Sequence, residues 1–273
     1  MKRFALFLSL ALLTALSPAR AAMTDWTEVQ GGAVRLIASA PLKDGTYLAG
    51  LEFLMEEGWH TYWRYPGEAG IPPQITLSNT ENLKDIEVLY PVPERYNDGF
   101  SESIVYHDGI VLPIKVTPED PSGEVRLSIE LFFGICKDIC VPGDAVLSLD
   151  FGPNMEKDKL AAKLIERDLD NVPASSSDDT LKIENVSLSE DKTLLVIDAT
   201  VGTEEQPDLF AAGPHGSFIG LPKLASHDGD AATWHLSTKG LSTHDEDTTL
   251  RLVLTSGGKA TEVLQPIDPA WVE

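Results

Sequence analysis

The sequence of 273 residues contains two cysteines, and they stand four positions apart in FFGICKDICVPGD, Phe132 to Asp144. Thiols so placed can cycle between dithiol and disulfide, close a small structural staple, or hold a soft metal ion. In the chain-entropy description a bridge gains stability with the loop it closes, about 2 kcal/mol for a loop this short against roughly 4.7 for about 100 residues. Stability alone is a weak reason for the pair to exist. Four positions along an extended strand separate two Cα atoms by roughly 13 Å, outside disulfide reach, so pairing requires a turn. Lys137-Asp138 and Val141-Pro142-Gly143 supply one. The expectation is a hairpin tip, with Cys136 ending the apolar strand LFFGI and Cys140 just past the bend and more exposed. A short, exposed bridge suits thiol exchange.

Lys137 favours a thiolate and Asp138 opposes it, so the neighbours do not fix the reactivity of either sulfur. The spacing is CxxxC, among strands with no βαβ pattern, which argues against a thioredoxin-type site. Zinc wants four ligands, and no histidine stands at a recognisable spacing. Copper(I) is the metal that two thiolates can satisfy. No cofactor and no metal-ligand set is assigned. No Ser-His-Asp order, paired-carboxylate motif or phosphate loop argues for a hydrolase.

The elements that must position the pair are strands. AVRLIAS (Ala33 to Ser39), TYLAGLEFLM (Thr46 to Met55), IVLPIKV (Ile110 to Val116), EVRLSIELFF (Glu124 to Phe133) and AVLSLDF (Ala145 to Phe151) are short β-rich runs. Turn clusters such as YPGEAG and PEDPSGE separate them. The pattern predicts an all-β fold, an antiparallel β-sandwich over residues 31–153. Residues 154–179 form a helical connector and linker: Leu160, Leu164, Ile165 and Leu169 share one helical face between Met155 and Asn171, Pro173 ends the helix, and SSSDD follows. Strand-like runs at LKIENVSL, KTLLVIDATV, ATWHLS and TTLRLVLT predict a second β-sandwich over residues 180–273.

The chain opens MKRFALFLSLALLTALSPARA, with Lys2 and Arg3 before an apolar run and Ala19-Arg20-Ala21 after it. That is the form of a cleavable export signal over residues 1–21, cut near Ala21. The apolar run is too short to span a bilayer, and no later segment is longer, so no stable membrane insertion is expected. An exported chain meets an oxidising compartment, here the bacterial periplasm, where cysteines pair unless something reduces them. The net charge of −22 repels nucleic acid and anionic lipid.

GWHTYWRYPGEAGIPP (Gly58 to Pro73), YPVPERY (Tyr90 to Tyr96), YHDGIVLPIKV (Tyr106 to Val116) and ICKDICVP follow one another in an order that resembles the N-terminal periplasmic domain of the thiol:disulfide interchange protein DsbD. The likeness points to the ScsB-like branch associated with copper tolerance; PDLFAAGPHGSF (Pro207 to Phe218) is similar to that branch's second domain. The resemblance implies an immunoglobulin-like fold. It implies that Cys136 and Cys140 receive electrons from a membrane thiol-redox protein and pass them to periplasmic thioredoxin-like oxidoreductases, in a protein-disulfide reductase-like exchange. Family members continue into a multi-helix membrane domain that this sequence lacks, so the expected membrane partner is separately encoded. The family's pair is also spaced more widely than Cys136 and Cys140. In the family an aromatic on a neighbouring loop shields the cysteines, which implies a cap at Tyr96-Asn97-Asp98-Gly99-Phe100, with Phe100 the first candidate and Tyr96 the second. The second of the two cysteines makes the mixed disulfide in that family, which implies that role for Cys140. The competing reading is a non-catalytic β-sandwich binding module, holding copper(I) at the thiols or presenting a surface to a membrane complex.

Trp59, Thr61 and Trp63 alternate with His60, Tyr62 and Arg64 along one strand, so the tryptophans belong to the core and the other three to the opposite face. His60 and His107 are placed to approach the cysteines, although a lone histidine is more often structural.

Overall fold

The computed structural model describes residues 22–175, 179–202, 206–243 and 248–272; the expected export signal, residues 1–21, lies outside them. The first eleven strands are β1 (Thr27–Val29), β2 (Gly32–Ala38), β3 (Tyr47–Met55), β4 (His60–Gly67), β5 (Gln74–Leu77), β6 (Leu83–Val88), β7 (Glu94–Asn97), β8 (Glu102–His107), β9 (Gly109–Pro118), β10 (Val125–Cys136) and β11 (Cys140–Phe151). They pair antiparallel into two sheets, one ordered β1-β2-β3-β9-β6 and one ordered β11-β10-β4-β8-β7 with β5 joined to β10. Alternation explains how the sheets face each other. Along β10, Val125, Leu127, Ile129, Leu131, Phe133 and Ile135 are buried, and their partners Leu147, Leu149 and Phe151 on β11 are buried with them. Phe133 meets Phe53 of the opposite sheet edge to face, with ring centroids 5.2 Å apart.

Helix α1 (Lys159–Leu169) docks on the first sandwich. Asp158 caps it, its carboxylate accepting from the Leu160 and Ala161 amides, an interaction typically worth about 1 kcal/mol. The helix therefore starts later than its apolar pattern predicts, and in a different phase. Leu160 is exposed, whereas Ala161, Ala162, Ile165 and Asp168 are buried. Small alanines let the helix approach β2 and β9 closely, and the buried Asp168 carboxylate accepts from the Val111 amide at 2.6 Å. The carboxylate is thus an anchor that a hydrophobic pattern cannot reveal.

Seven strands follow: β12 (Lys182–Leu188), β13 (Leu194–Thr200), β14 (Asp208–Ala212), β15 (Lys223–Asp228), β16 (Ala231–Ser237), β17 (Thr249–Ser256) and β18 (Lys259–Pro266). They form a four-stranded sheet ordered β12-β13-β16-β15 and a three-stranded one ordered β14-β17-β18, packed as a second sandwich around Trp234, Leu195, Leu236 and Leu252. The two sandwiches share one apolar cluster. Trp63 of β4 meets Phe210 of β14 with centroids 6.2 Å apart, and the buried Tyr65 hydroxyl donates to the Ile219 carbonyl. The architecture is the antiparallel sandwich that the strand pattern predicts, consistent with the immunoglobulin-like fold that the resemblance implies, with one α-helix among the described residues.

Candidate functional site

Strands β10 and β11 continue as a ladder to the last possible pair, Cys136 opposite Cys140. Three residues, Lys137 to Ile139, turn the chain, with the Lys137 amide donating to the Ile139 carbonyl at 3.2 Å. The sulfurs are bonded, and the two Cα atoms lie 4.1 Å apart. Their surroundings differ. Cys136 is 1% exposed, whereas Cys140 and its neighbour Ile139 face solvent. The Lys137 ammonium is engaged by the Glu57 carbonyl at 2.9 Å, which ties the tip to the preceding turn.

Because Cys136 follows Ile135, it points away from the sandwich core, to the outer face of its sheet. On that face β4 contributes His60 and Tyr62, β8 contributes Val105 and His107, and β7 contributes Tyr96. The split within β4 follows the alternation seen in the sequence, Trp63 in the core and Trp59 packed against it, His60 and Tyr62 opposite. Cys136 pairs across the ladder with His60, and His60 with His107. Both histidines are thus brought to the cysteine pair.

Tyr62 makes the direct contact. Its hydroxyl stands 2.9 Å from Cys136 Sγ and 3.0 Å from Cys140 Sγ. A disulfide has no hydrogen to give, so the phenol is the donor. Burial, with Asp98 and Tyr96 nearby, pushes this hydroxyl up to about 12, so it keeps its proton at any working pH. The sequence marked the position only as the outer face of a strand. The missing signal is the loop PGEAGIPP, which folds back over the Tyr62 ring. A Cβ on Gly70, whose φ is +127°, would lie 2.2 Å from the ring, and Gly134 packs against its other edge. The loop is fixed by the Gly134 amide, which donates to Ile71. Glycine is required where backbone and ring approach this closely.

His60 is 4% exposed, and among the described residues its Nδ1 has no hydrogen-bond partner. Burial above all, and then His107, pull its pKa down to about 4, with Asp98 opposing. It is a neutral ring beside the sulfurs. His107 Nδ1 contacts Glu94 at 3.2 Å.

The expected cap loop joins β7 to β8. Asn97 and Asp98 order it: Asn97 Oδ1 accepts from the Gly99 amide at 2.7 Å, and Asp98 Oδ1 from the Phe100 and Ser101 amides at 2.8 Å each. Those bonds hold the Asp98 carboxyl below its ordinary range. Tyr96 packs on the Tyr62, Val105 and Cys136 cluster. Phe100 does not; it projects from the tip 99% exposed, because the Asp98 turn aims it outward. Among the described residues no three His, Cys, Asp or Glu side chains gather to hold a metal ion, and no helix is long and apolar enough to cross a membrane.

Residues 27–151 match the family described as thiol:disulfide interchange protein DsbD, N-terminal, and residues 171–270 match a domain of unknown function (DUF8393). The crystal structure of the N-terminal periplasmic domain of ScsB from Proteus mirabilis superposes with a TM-score of 0.70 at 24% identity, covering 90% of this chain and 98% of that one. At that identity the likeness is one of fold. No curated protein matches the chain.

Proposed function

With residues 27–151 forming a domain of the DsbD N-terminal family, we propose that the protein is a periplasmic thiol:disulfide interchange protein working through Cys136 and Cys140. One observation carries the reading: a bonded pair at a hairpin tip, one sulfur buried and one exposed, both touched by a single phenol. A partner thiolate attacks Cys140 Sγ, the sulfur with access. The Sγ–Sγ bond breaks, and Cys136 leaves as a thiolate that takes a proton. The partner's second thiol then attacks its own sulfur in the mixed disulfide and releases Cys140 as a thiol. Two electrons and two protons have moved from a partner dithiol to this pair. The reverse sequence hands them on.

The donor in this scheme is a membrane thiol-redox protein, and the acceptors are periplasmic thioredoxin-like oxidoreductases. Residues 1–21 serve as the export signal, cut near Ala21. Residues 31–153 are the exchange domain, 154–179 the connector, and 180–273 the second sandwich. The cap belongs to the loop from Tyr96 to Phe100, Tyr96 packing over Cys136 and Phe100 presented to an arriving partner.

Trapping tests the scheme. Cys136→Ser should hold a covalent complex through Cys140, visible on a non-reducing gel and lost on reduction, and Cys140→Ser should hold little. Equal trapping by both variants removes the assignment of roles. No trapping by either, with one copper(I) held per reduced wild-type chain, replaces exchange by a binding module.

A further inference from the structure

Strand β7 is an edge strand of four residues, too short to be stable without support. Neighbouring side chains on a strand leave opposite faces. Tyr96 therefore turns to the cysteine cluster, its ring 4.7 Å from His60 and 5.3 Å from His107. Arg95 turns the other way, into the second sandwich. Its Nε donates to both carboxylate oxygens of Asp208, at 3.0 and 2.8 Å. Its Nη2 donates to the carbonyls of Leu209 at 2.8 Å and Pro222 at 3.1 Å, while Nη1 reaches Glu102 of β8 at 3.1 Å. The guanidinium also lies 5.5 Å from the centre of the Phe210 ring.

We propose that the second sandwich anchors the cover of the redox site: through Arg95 it holds β7 in place, and so keeps Tyr96 packed on the cluster of Tyr62, Val105 and Cys136. This rests on the exchange reading above and gives residues 180–273 a task in it. The anchor is suited to the work. A planar guanidinium with its donors in a fixed fork sets orientation as well as distance, which a lysine in its place would not. The acceptor is itself held, since Asp208 starts β14, is paired with Thr255 of β17, and stands two residues before the Phe210 that meets Trp63. The remaining bond named between the sandwiches, Tyr65 to Ile219, leaves from β4 and not from β7. Losing Arg95's grip therefore frees the cover while the sandwiches stay docked.

The test uses the full chain in a Cys140→Ser background, where Cys136 is the single thiol and its labelling by a maleimide reports opening of the cover. Asp208→Asn should speed labelling about 5- to 10-fold and speed amide exchange over residues 94–102 by a similar factor, as local opening without global unfolding does. Arg95→Lys, which also gives up the bonds to Leu209, Pro222 and Glu102, should label at least as fast as Asp208→Asn. Tyr65→Phe removes a contact between the sandwiches that does not involve β7 and should label at the parent rate. Parent-like labelling and exchange in both Asp208→Asn and Arg95→Lys overturn the proposal. So does equal acceleration by Tyr65→Phe, which would mark general loosening. Partner trapping by Cys136→Ser is read separately. Trapping with unchanged labelling keeps exchange and discards the anchor; faster labelling without trapping keeps the anchor and discards exchange.

Discussion

Replacing Tyr62 with Phe removes one oxygen and keeps the ring, so packing against Gly70 and Gly134 survives. What disappears is the O–H that reaches Cys136 Sγ at 2.9 Å and Cys140 Sγ at 3.0 Å. With the sulfur uncharged, as disulfide or as neutral thiol, the loss is small, because divalent sulfur is a weak acceptor; about 0.5–1 kcal/mol is the scale of a neutral bond. With the pair reduced, one sulfur becomes a thiolate, and a hydrogen bond to a charged group contributes about 1.5–3 kcal/mol. The difference, about 1–2 kcal/mol, falls on the ionised form alone. At 1.36 kcal/mol per pKa unit, the reactive thiol of Tyr62→Phe should titrate roughly one unit higher. The tyrosine itself does not distort the profile, since its hydroxyl is pushed up to about 12. The assay is the rate of iodoacetamide alkylation of the reduced protein against pH, beside a thermal melt. The midpoint should rise by about one unit, and below it the rate should fall about tenfold, with little change in melting. An unmoved midpoint would show that the phenol does not stabilise the thiolate. A fall of several kcal/mol in stability would show that its work is structural.

Four further outcomes follow from the same geometry. His60 ionises at about 4 when folded against 6.5 in the unfolded chain, so its neutral form stabilises the fold fully above pH 6.5, and that contribution, on the order of 3 kcal/mol, drains away as pH falls toward 4; His60→Phe should flatten the urea midpoint over this window, and an unchanged acid slope refutes the assignment. Gly70→Ala forces a Cβ to within 2.2 Å of the Tyr62 ring at a φ of +127°, and should cost about 1–3 kcal/mol or more in urea unfolding, with a rate of alkylation that changes along with it. Phe100→Ala should leave stability within about 0.5 kcal/mol because the ring is exposed, whereas Tyr96→Ala should expose Cys136 to maleimide; a destabilised Phe100→Ala or an unresponsive Tyr96→Ala contradicts the placement. Reduction of the bridge should lower stability by only about 2 kcal/mol without unfolding the domain, so a cooperative unfolding on adding dithiothreitol would make it a structural staple.

Much of the frame was legible because one face of each long strand is buried. Val125 to Ile135 alternate cleanly, the turn at Lys137-Asp138 closes the hairpin, and the split between Trp63 and His60 with Tyr62 follows from period two alone. Strand β15, KLASHD, is exposed along its whole length, and β5 and β6 are short and mostly polar or exposed, so none carried a pattern to read. The site was legible in its sulfurs and not in its phenol. Tyr62 and Cys136 are 74 residues apart in sequence. What joins them is the pairing of β4 with β10, two strands that are neighbours in the sheet and distant in the chain. The usual expectation for the outer face of a sandwich sheet is solvent. Here outer-face side chains of β7 and β8, Tyr96 and Val105, and the loop through Gly70 cover that face, and a residue that alternation marks as outward becomes buried. Arg95 was equally silent, since its partners in the second sandwich lie more than 100 residues further on.

A redox pair on a hairpin differs physically from one at a helix start. The ladder of β10 and β11 fixes the Cα atoms of Cys136 and Cys140 through backbone bonds that do not depend on the sulfurs, so the pair can open and close with the strands held in register. Among the described residues neither a helix N-terminus nor a cationic side chain sits on the sulfurs to set their reactivity, the Lys137 ammonium being bound to the Glu57 carbonyl. Control must come from the groups around them: the Tyr62 hydroxyl, which touches both, and beside it the neutral ring of His60 and Tyr96. All three lie on the outer face, two on β4 within the sheet and one on an edge strand of four residues. The hydroxyl from β4 reaches both sulfurs and so bears on the chemistry of a thiolate. Tyr96, on its short edge strand, bears on access. Under the exchange reading proposed above, a site divided in this way lets access change without the chemistry changing, provided that something outside the first sandwich decides where β7 rests.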